Sequence, residues 1–154
     1  MAEGVRLRPA LPAERLLLEA LQSRASLGNA GDRAALLRHP DAIDIPLEQL
    51  EAGQVSVAES DGAIVGFVAV VPRDDGNAEL DALFVEPVRW RRGIGRALLT
   101  HAVGVARANG AEALHVVGNP HAEAFYRANG FETTGTFKTR FGPGLLMRRL
   151  LPPG

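Results

Sequence analysis

Between positions 91 and 96 the chain reads Arg-Arg-Gly-Ile-Gly-Arg, at the head of a run whose apolar residues Ile94, Leu98, Ala102, Val105 and Ala106 recur at helical spacing. Gly93 and Gly95 let a backbone run close to a ligand. The first amides of the following helix have no intrahelical acceptor and point outward together. With the positive end of the helix dipole and the side chains of Arg91, Arg92 and Arg96, they form a cradle for a phosphate or pyrophosphate. Named residues exclude the two commonest nucleotide loops. A Walker loop ends Gly-Lys-Ser/Thr, and the only lysine is Lys138. A dinucleotide loop needs a third small residue at position 98, where Leu98 stands. It also needs an acidic residue closing the next strand, which here ends Val117-Gly118-Asn119.

The 154 residues, 46% of them hydrophobic, suffice to bury the core of a single domain, and one domain over residues 1–154 is the expectation. A net charge of −1 lacks the basic excess of a nucleic-acid module, so the Arg89-Trp90-Arg91-Arg92 run reads as a cofactor-phosphate surface. The absence of cysteine excludes disulfides, thiol catalysis and Cys-ligated zinc. The four histidines form no His-x-x-Glu or His-x-x-x-His pair on an expected helix, so no metal is expected. The longest apolar stretch, Ala63 to Val71, is too short for a bilayer span and contains Gly66. No apolar run follows Glu3, Arg6 and Arg8 as a signal peptide would require, so no membrane association and a cytoplasmic location are expected.

The elements that must hold the cradle follow from periodicity. Val5 to Arg8 alternates as a strand. Pro12 opens a helix with Leu17, Ala20 and Leu21 as its apolar side. Asp32 caps a short helix over 33–38, and Pro46 to Ala52 is a further helical turn or two. Gln54 to Glu59 and Ala63 to Val71 form a hairpin around Asp61-Gly62. Ala78 to Glu86 is a strand, with Leu80, Ala82 and Phe84 on one face and Glu79, Asp81, Leu83 and Val85 on the other. The long helix stops at Asn109-Gly110. Leu114 to Val117 is a strand, Pro120 to Asn129 a short helix, and residues 131–141 and 145–151 a strand pair around Gly142-Pro143-Gly144. His39 and His101 read as loop and helix-surface residues. The sum is a mixed α/β sheet.

Two segments resemble one family. Leu83-Phe84-Val85-Glu86-Pro87 with Arg91-Arg92-Gly93-Ile94-Gly95-Arg96-Ala97-Leu98-Leu99 is similar to the acetyl-CoA-binding motif of the GNAT superfamily of N-acetyltransferases. Asn119-Pro120-His121-Ala122-Glu123-Ala124-Phe125-Tyr126, followed by Asn129-Gly130-Phe131, resembles the second motif of that family, in the family's order and spacing. One position departs: Trp90 stands where the family commonly has Gln or Arg.

The resemblance implies a mostly antiparallel sheet, splayed at the cofactor site and flanked by helices. It implies an acetyl-CoA-dependent N-acetyltransferase whose acceptor amine, on a small molecule, amino acid or protein N-terminus, attacks the thioester directly through a tetrahedral intermediate. Main-chain groups of Phe84 and Val85 would bind the acetyl and pantetheine part. Amides of Arg91, Arg92, Gly93, Ile94, Gly95 and Arg96 would hold the pyrophosphate, and Asn119 the pantetheine arm. Tyr126, the only tyrosine, would be the general acid. A phenol of pKa ~10 can protonate a thiolate whose conjugate acid lies near ~8.5. The alternative for Tyr126 is a ring packed beside Phe125 with its hydroxyl at the surface. A primary ammonium of pKa ~10.4 must lose a proton before attack. Glu79 is the first candidate base, with Asp81, His115 and bound water behind it. The rival from another class is an acyl-CoA-binding sensor without catalysis. The sequence leaves a homodimer open and expects no nucleic-acid partner.

Overall fold

The computed structural model describes residues 4–139 and 142–152. Its strands are β1 (Arg6–Pro9), β2 (Val55–Ser60), β3 (Ala63–Pro72), β4 (Ala78–Val85), β5 (Ala113–Gly118), β6 (Glu132–Thr139) and β7 (Gly142–Leu150). Its helices are α1 (Arg15–Leu27), α2 (Ala30–Arg38), α3 (Leu47–Glu51), α4 (Ile94–Ala108) and α5 (Glu123–Ala128). The strands hydrogen-bond in the order β1-β2-β3-β4-β5-β7-β6. β1–β2, β2–β3, β5–β7 and β6–β7 are antiparallel and β4–β5 parallel, so the expected mixed α/β sheet is present. No described helix is long and apolar enough to cross a membrane. The chain divides into two compact units, Met1–Ala69 with Ala82–His101 and Val70–Asp81 with Ala102–Gly154.

In the first unit, Leu18, Leu21, Val55, Val57 and Phe67 anchor a buried apolar cluster, against which Ala82 and Phe84 of β4 pack. The Phe67 and Phe84 rings lie 5.7 Å apart. The buried side of α1 is Leu18, Leu21 and Ala25, whereas Leu17 and Ala20 are exposed, so the apolar stripe is turned from the one expected. The reason is that Leu16, Leu17 and Leu18 are consecutive and periodicity alone cannot choose among them. Asp61 and Gly62 both take positive φ (52° and 80°), the hairpin turn expected between β2 and β3. Beyond that turn the register slips: Glu59 pairs with Ile64 and Ala58 with Gly66, leaving Val65 as an extra residue. The Val65 carbonyl accepts the Glu86 N–H at 2.8 Å, so the bulge anchors the chain where it leaves β4.

Gly66 explains how the start of α4 comes so close to β3. A Cβ there would lie 2.9 Å from Leu98 Cδ1 and 3.0 Å from the Phe84 carbonyl oxygen. Only a hydrogen fits, and Ile94 and Leu98 fill the space. Ile94, Leu98, Leu99, Ala102, Val103 and Ala106 are the buried residues of α4, and Val105 is only half-buried.

In the second unit, the β4–β5 register is Ala78↔Leu114 and Glu79↔His115. β7 lies between β5 and β6, pairing His115↔Arg148 and Glu132↔Arg148. Gly142 and Gly144 belong to β7 and not to a turn, because Thr139 already pairs with Gly142. A Cβ at Gly144 would come within 2.8 Å of Val117 Cγ1, which is why a residue that reads as a turn former sits in a strand. Arg140 and Phe141, expected to end the preceding strand, lie outside the described residues.

Candidate active site

Glu86 ends β4's extended run, a single 3-10 turn at Pro87–Arg89 follows, and α4 begins at Ile94. Within the connecting loop, Arg91 has φ of 64° and Gly93 φ of 83°. Left-handed residues alternating with others turn successive backbone N–H groups toward one concavity, a nest for an anion. The Gly93 carbonyl accepts the Ala97 N–H at 3.0 Å, so Gly93 precedes the first helical turn and the amides of Ile94, Gly95 and Arg96 have no acceptor within the helix. Arg91, Arg92 and Arg96 are exposed around this stretch of backbone. Left-handed backbone falls at Arg91 and Gly93, whereas Gly95 is simply the second residue of α4.

Trp90 occupies the position that departs from the family pattern. Its Nε1–H donates to the Val85 carbonyl at 2.8 Å. A Cβ on Gly28, just past the end of α1, would stand 3.0 Å from the far edge of the indole, at Cη2. A pantetheine arm pairing with the Val85 carbonyl would have to share it with the indole, a condition the sequence did not show. Phe84 is half-buried, with its ring on the apolar cluster. Glu86 forms a bidentate ion pair with Arg24 of α1, at 2.7 and 2.8 Å. The guanidinium holds the Glu86 carboxyl below its ordinary range. Arg24, Gly28 and Gly66 carry no sequence signal of this role, because each acts through a partner far along the chain.

Tyr126 lies in the second unit and is only 8% exposed. Its ring meets Phe125 and Phe131 edge-on, each at 5.3 Å between centroids, and a Cβ on Gly118 of β5 would stand in ordinary contact with it at 3.5 Å. Burial pushes its pKa up to about 12. The ring thus packs beside Phe125 and Phe131 in a buried residue. Asn119 is exposed, just before the 3-10 turn that leads into α5.

Glu79 is partly exposed and accepts a hydrogen bond from Arg73 Nη1 at 3.2 Å. Its register partner is His115, whose other neighbour, on β7, is Arg148. Burial, with the charges of Arg73 and Arg148, lowers the His115 pKa below its ordinary value against the opposing pull of Asp75 and Glu79. The shift favours the neutral imidazole at His115. Asp81 is exposed on the same strand. His101, expected on a helix surface, is half-buried and hydrogen-bonded through Nε2 to Ser56 Oγ at 3.0 Å. Among the described residues no three His, Asp or Glu side chains are grouped to hold a metal ion.

A sequence model of the Acetyltransferase (GNAT) family matches residues 20–131. N-acetyltransferase family 8 member 3 of Rattus norvegicus is 34% identical over 113 residues, 67% of this chain and 50% of that protein. An amino-acid acetyltransferase of Azotobacter vinelandii is 37% identical over 86 residues, 55% of this chain and 20% of that protein. The chain thus spans half of the one relative's length and a fifth of the other's. In fold it is similar to the PaiA N-acetyltransferase of Thermoplasma acidophilum, a structure in complex with coenzyme A. The TM-score is 0.77 at 17% identity, covering 96% of this chain and 99% of that one. The motifs, the fold and the family match converge: the chain belongs to the GNAT acetyltransferase family.

Proposed function

We propose that the 154 residues act as one acetyl-CoA-dependent N-acetyltransferase domain that acylates a primary amine. The observation that carries this reading is the left-handed backbone at Arg91 and Gly93 ahead of α4, in a chain of this family. The residues present fit coenzyme A: the amides of 94–96 and three arginines suit a pyrophosphate, and Phe84, Val85 and Asn119 are the groups for the pantetheine arm. Bound acetyl-CoA would supply an activated acetyl thioester. The amine of a small molecule, an amino acid or a protein N-terminus is the acceptor class, and direct attack on the thioester needs no covalent enzyme intermediate.

Glu79 is proposed to accept the proton that the acceptor ammonium must lose, and neutral His115, its register partner, is the second group able to do so. Tyr126 holds its proton tightly. With its pKa near 12, complete transfer to a thiolate whose conjugate acid lies near ~8.5 is uphill. The role that follows is donation of a hydrogen bond to the departing sulfur, with transfer completed only as the two proton affinities approach each other.

The test is a panel of amines and amino acids with acetyl-CoA, read by release of free coenzyme A thiol. Turnover with at least one acceptor is expected. Glu79→Gln should lower kcat/KM, remove the acidic limb of the pH profile and recover in part at high pH, where free amine is plentiful. Tight coenzyme A binding with no turnover across the panel would instead indicate a binding module without catalysis.

A further inference from the structure

The loop that carries the cradle is tied to the end of α1 at two points in the first unit. One is the bidentate Arg24–Glu86 ion pair, at 2.7 and 2.8 Å. The other is Trp90, whose indole N–H donates to the Val85 carbonyl at 2.8 Å and whose opposite edge rests on Gly28. Gly28 needs no glycine for its backbone, because φ is −74° and ψ −9°, ordinary right-handed values. What it provides is the absence of a methyl group where the indole lies. Trp90 therefore fixes three things at once: the last residue of β4, the loop just before the nest, and the end of the helix that runs into α2. Trp90 is 40% exposed, and the hydrogen bond to Val85 and the edge against Gly28 are two contacts that orient its indole.

We propose that Trp90 is a positioning residue that couples the end of α1 to the cofactor cradle, so that a change at Gly28 weakens coenzyme A binding without touching the cradle itself. The proposal rests on the reading of the cradle as a coenzyme A site. It assigns to Trp90 the work of holding the β4 end and the loop in register.

Two variants test the contacts. Trp90→Phe keeps an aromatic ring in the loop but removes the N–H donor and the Cη2 edge that reaches Gly28. Gly28→Ala keeps the donor, leaves an allowed backbone and drives a methyl against the indole edge. Calorimetric titration with coenzyme A should give a dissociation constant raised ~3- to 10-fold in each, the scale of one ordinary hydrogen bond. The double variant should be no weaker than the worse single one, as for two groups acting through one contact. In the Gly28→Ala protein the emission of the only tryptophan should shift before any ligand is added. In turnover, KM for acetyl-CoA should rise more than kcat falls. Thermal melts within a few degrees of the parent would set a folding defect aside. Wild-type affinity in both folded variants would overturn the inference alone. A parent protein that binds no coenzyme A would overturn the reading of the cradle and the inference with it.

Discussion

Arg91 is the residue in which structure and chemistry pull hardest against each other. A left-handed φ costs a residue with a Cβ roughly 1–2 kcal/mol relative to its ordinary conformations, and glycine little of that. Arg91→Gly should accordingly leave the protein unchanged or up to ~1 kcal/mol more stable, while coenzyme A binding weakens through the lost cation. A chemical denaturation curve and a calorimetric titration on the same preparation read both effects. At Tyr126 the expectation concerns pH. Its folded pKa of about 12 lies above the unfolded value of 10.0, so its contribution to stability is complete below pH 10 and is lost as pH rises through 12. A two-unit shift corresponds to ~2–3 kcal/mol. Because the chain has one tyrosine, phenolate absorbance reports this ionisation directly. Tyr126→Phe should abolish that signal, retain the packing on Phe125 and Phe131, and slow turnover by ~10²–10⁴-fold if the hydroxyl assists the leaving sulfur.

At the scale of elements, Gly66 decides where α4 begins relative to β3. Gly66→Val would set methyl groups against Leu98 and the Phe84 carbonyl, at distances where a Cβ alone already stands 2.9 and 3.0 Å away. The expected loss is ~1–3 kcal/mol, with coenzyme A affinity falling because the first turn of α4 carries the cradle amides. A thermal melt and the same titration check it, and an unperturbed variant would detach the cradle from this packing. β3, β4 and α4 were legible because their patterns are local: an unbroken apolar run after Asp61-Gly62, alternation along β4, and a 15-residue helix closed by Gly110. The apolar side of α1 was not, since three adjacent leucines offer period-3.6 solutions that only Val55, Val57 and Phe67 resolve. The ties from Arg24 to Glu86 and from Gly28 to Trp90 span 62 residues each, and no spacing rule reaches that far. Likewise Gly144 has the composition of a turn, and only its neighbour Val117 reveals why a strand needs it.

For the molecule as a whole, the near-balance of charge leaves long-range attraction for a polyanion weak, so the proposed recognition of a phosphate would rest on the local array at the start of α4. That array can be removed with little harm to the helix. Gly95 is the second residue of α4, where an aspartate is favourable to the helix dipole yet places a carboxylate where the phosphate charge must sit. Calorimetric titration of coenzyme A into the parent protein and into Gly95→Asp is therefore the most direct test of the central claim. Saturable binding by the parent, and none by a variant of unchanged circular dichroism, is the predicted result. Equal affinity in both folded proteins would contradict the assignment of residues 91–96 as the pyrophosphate cradle.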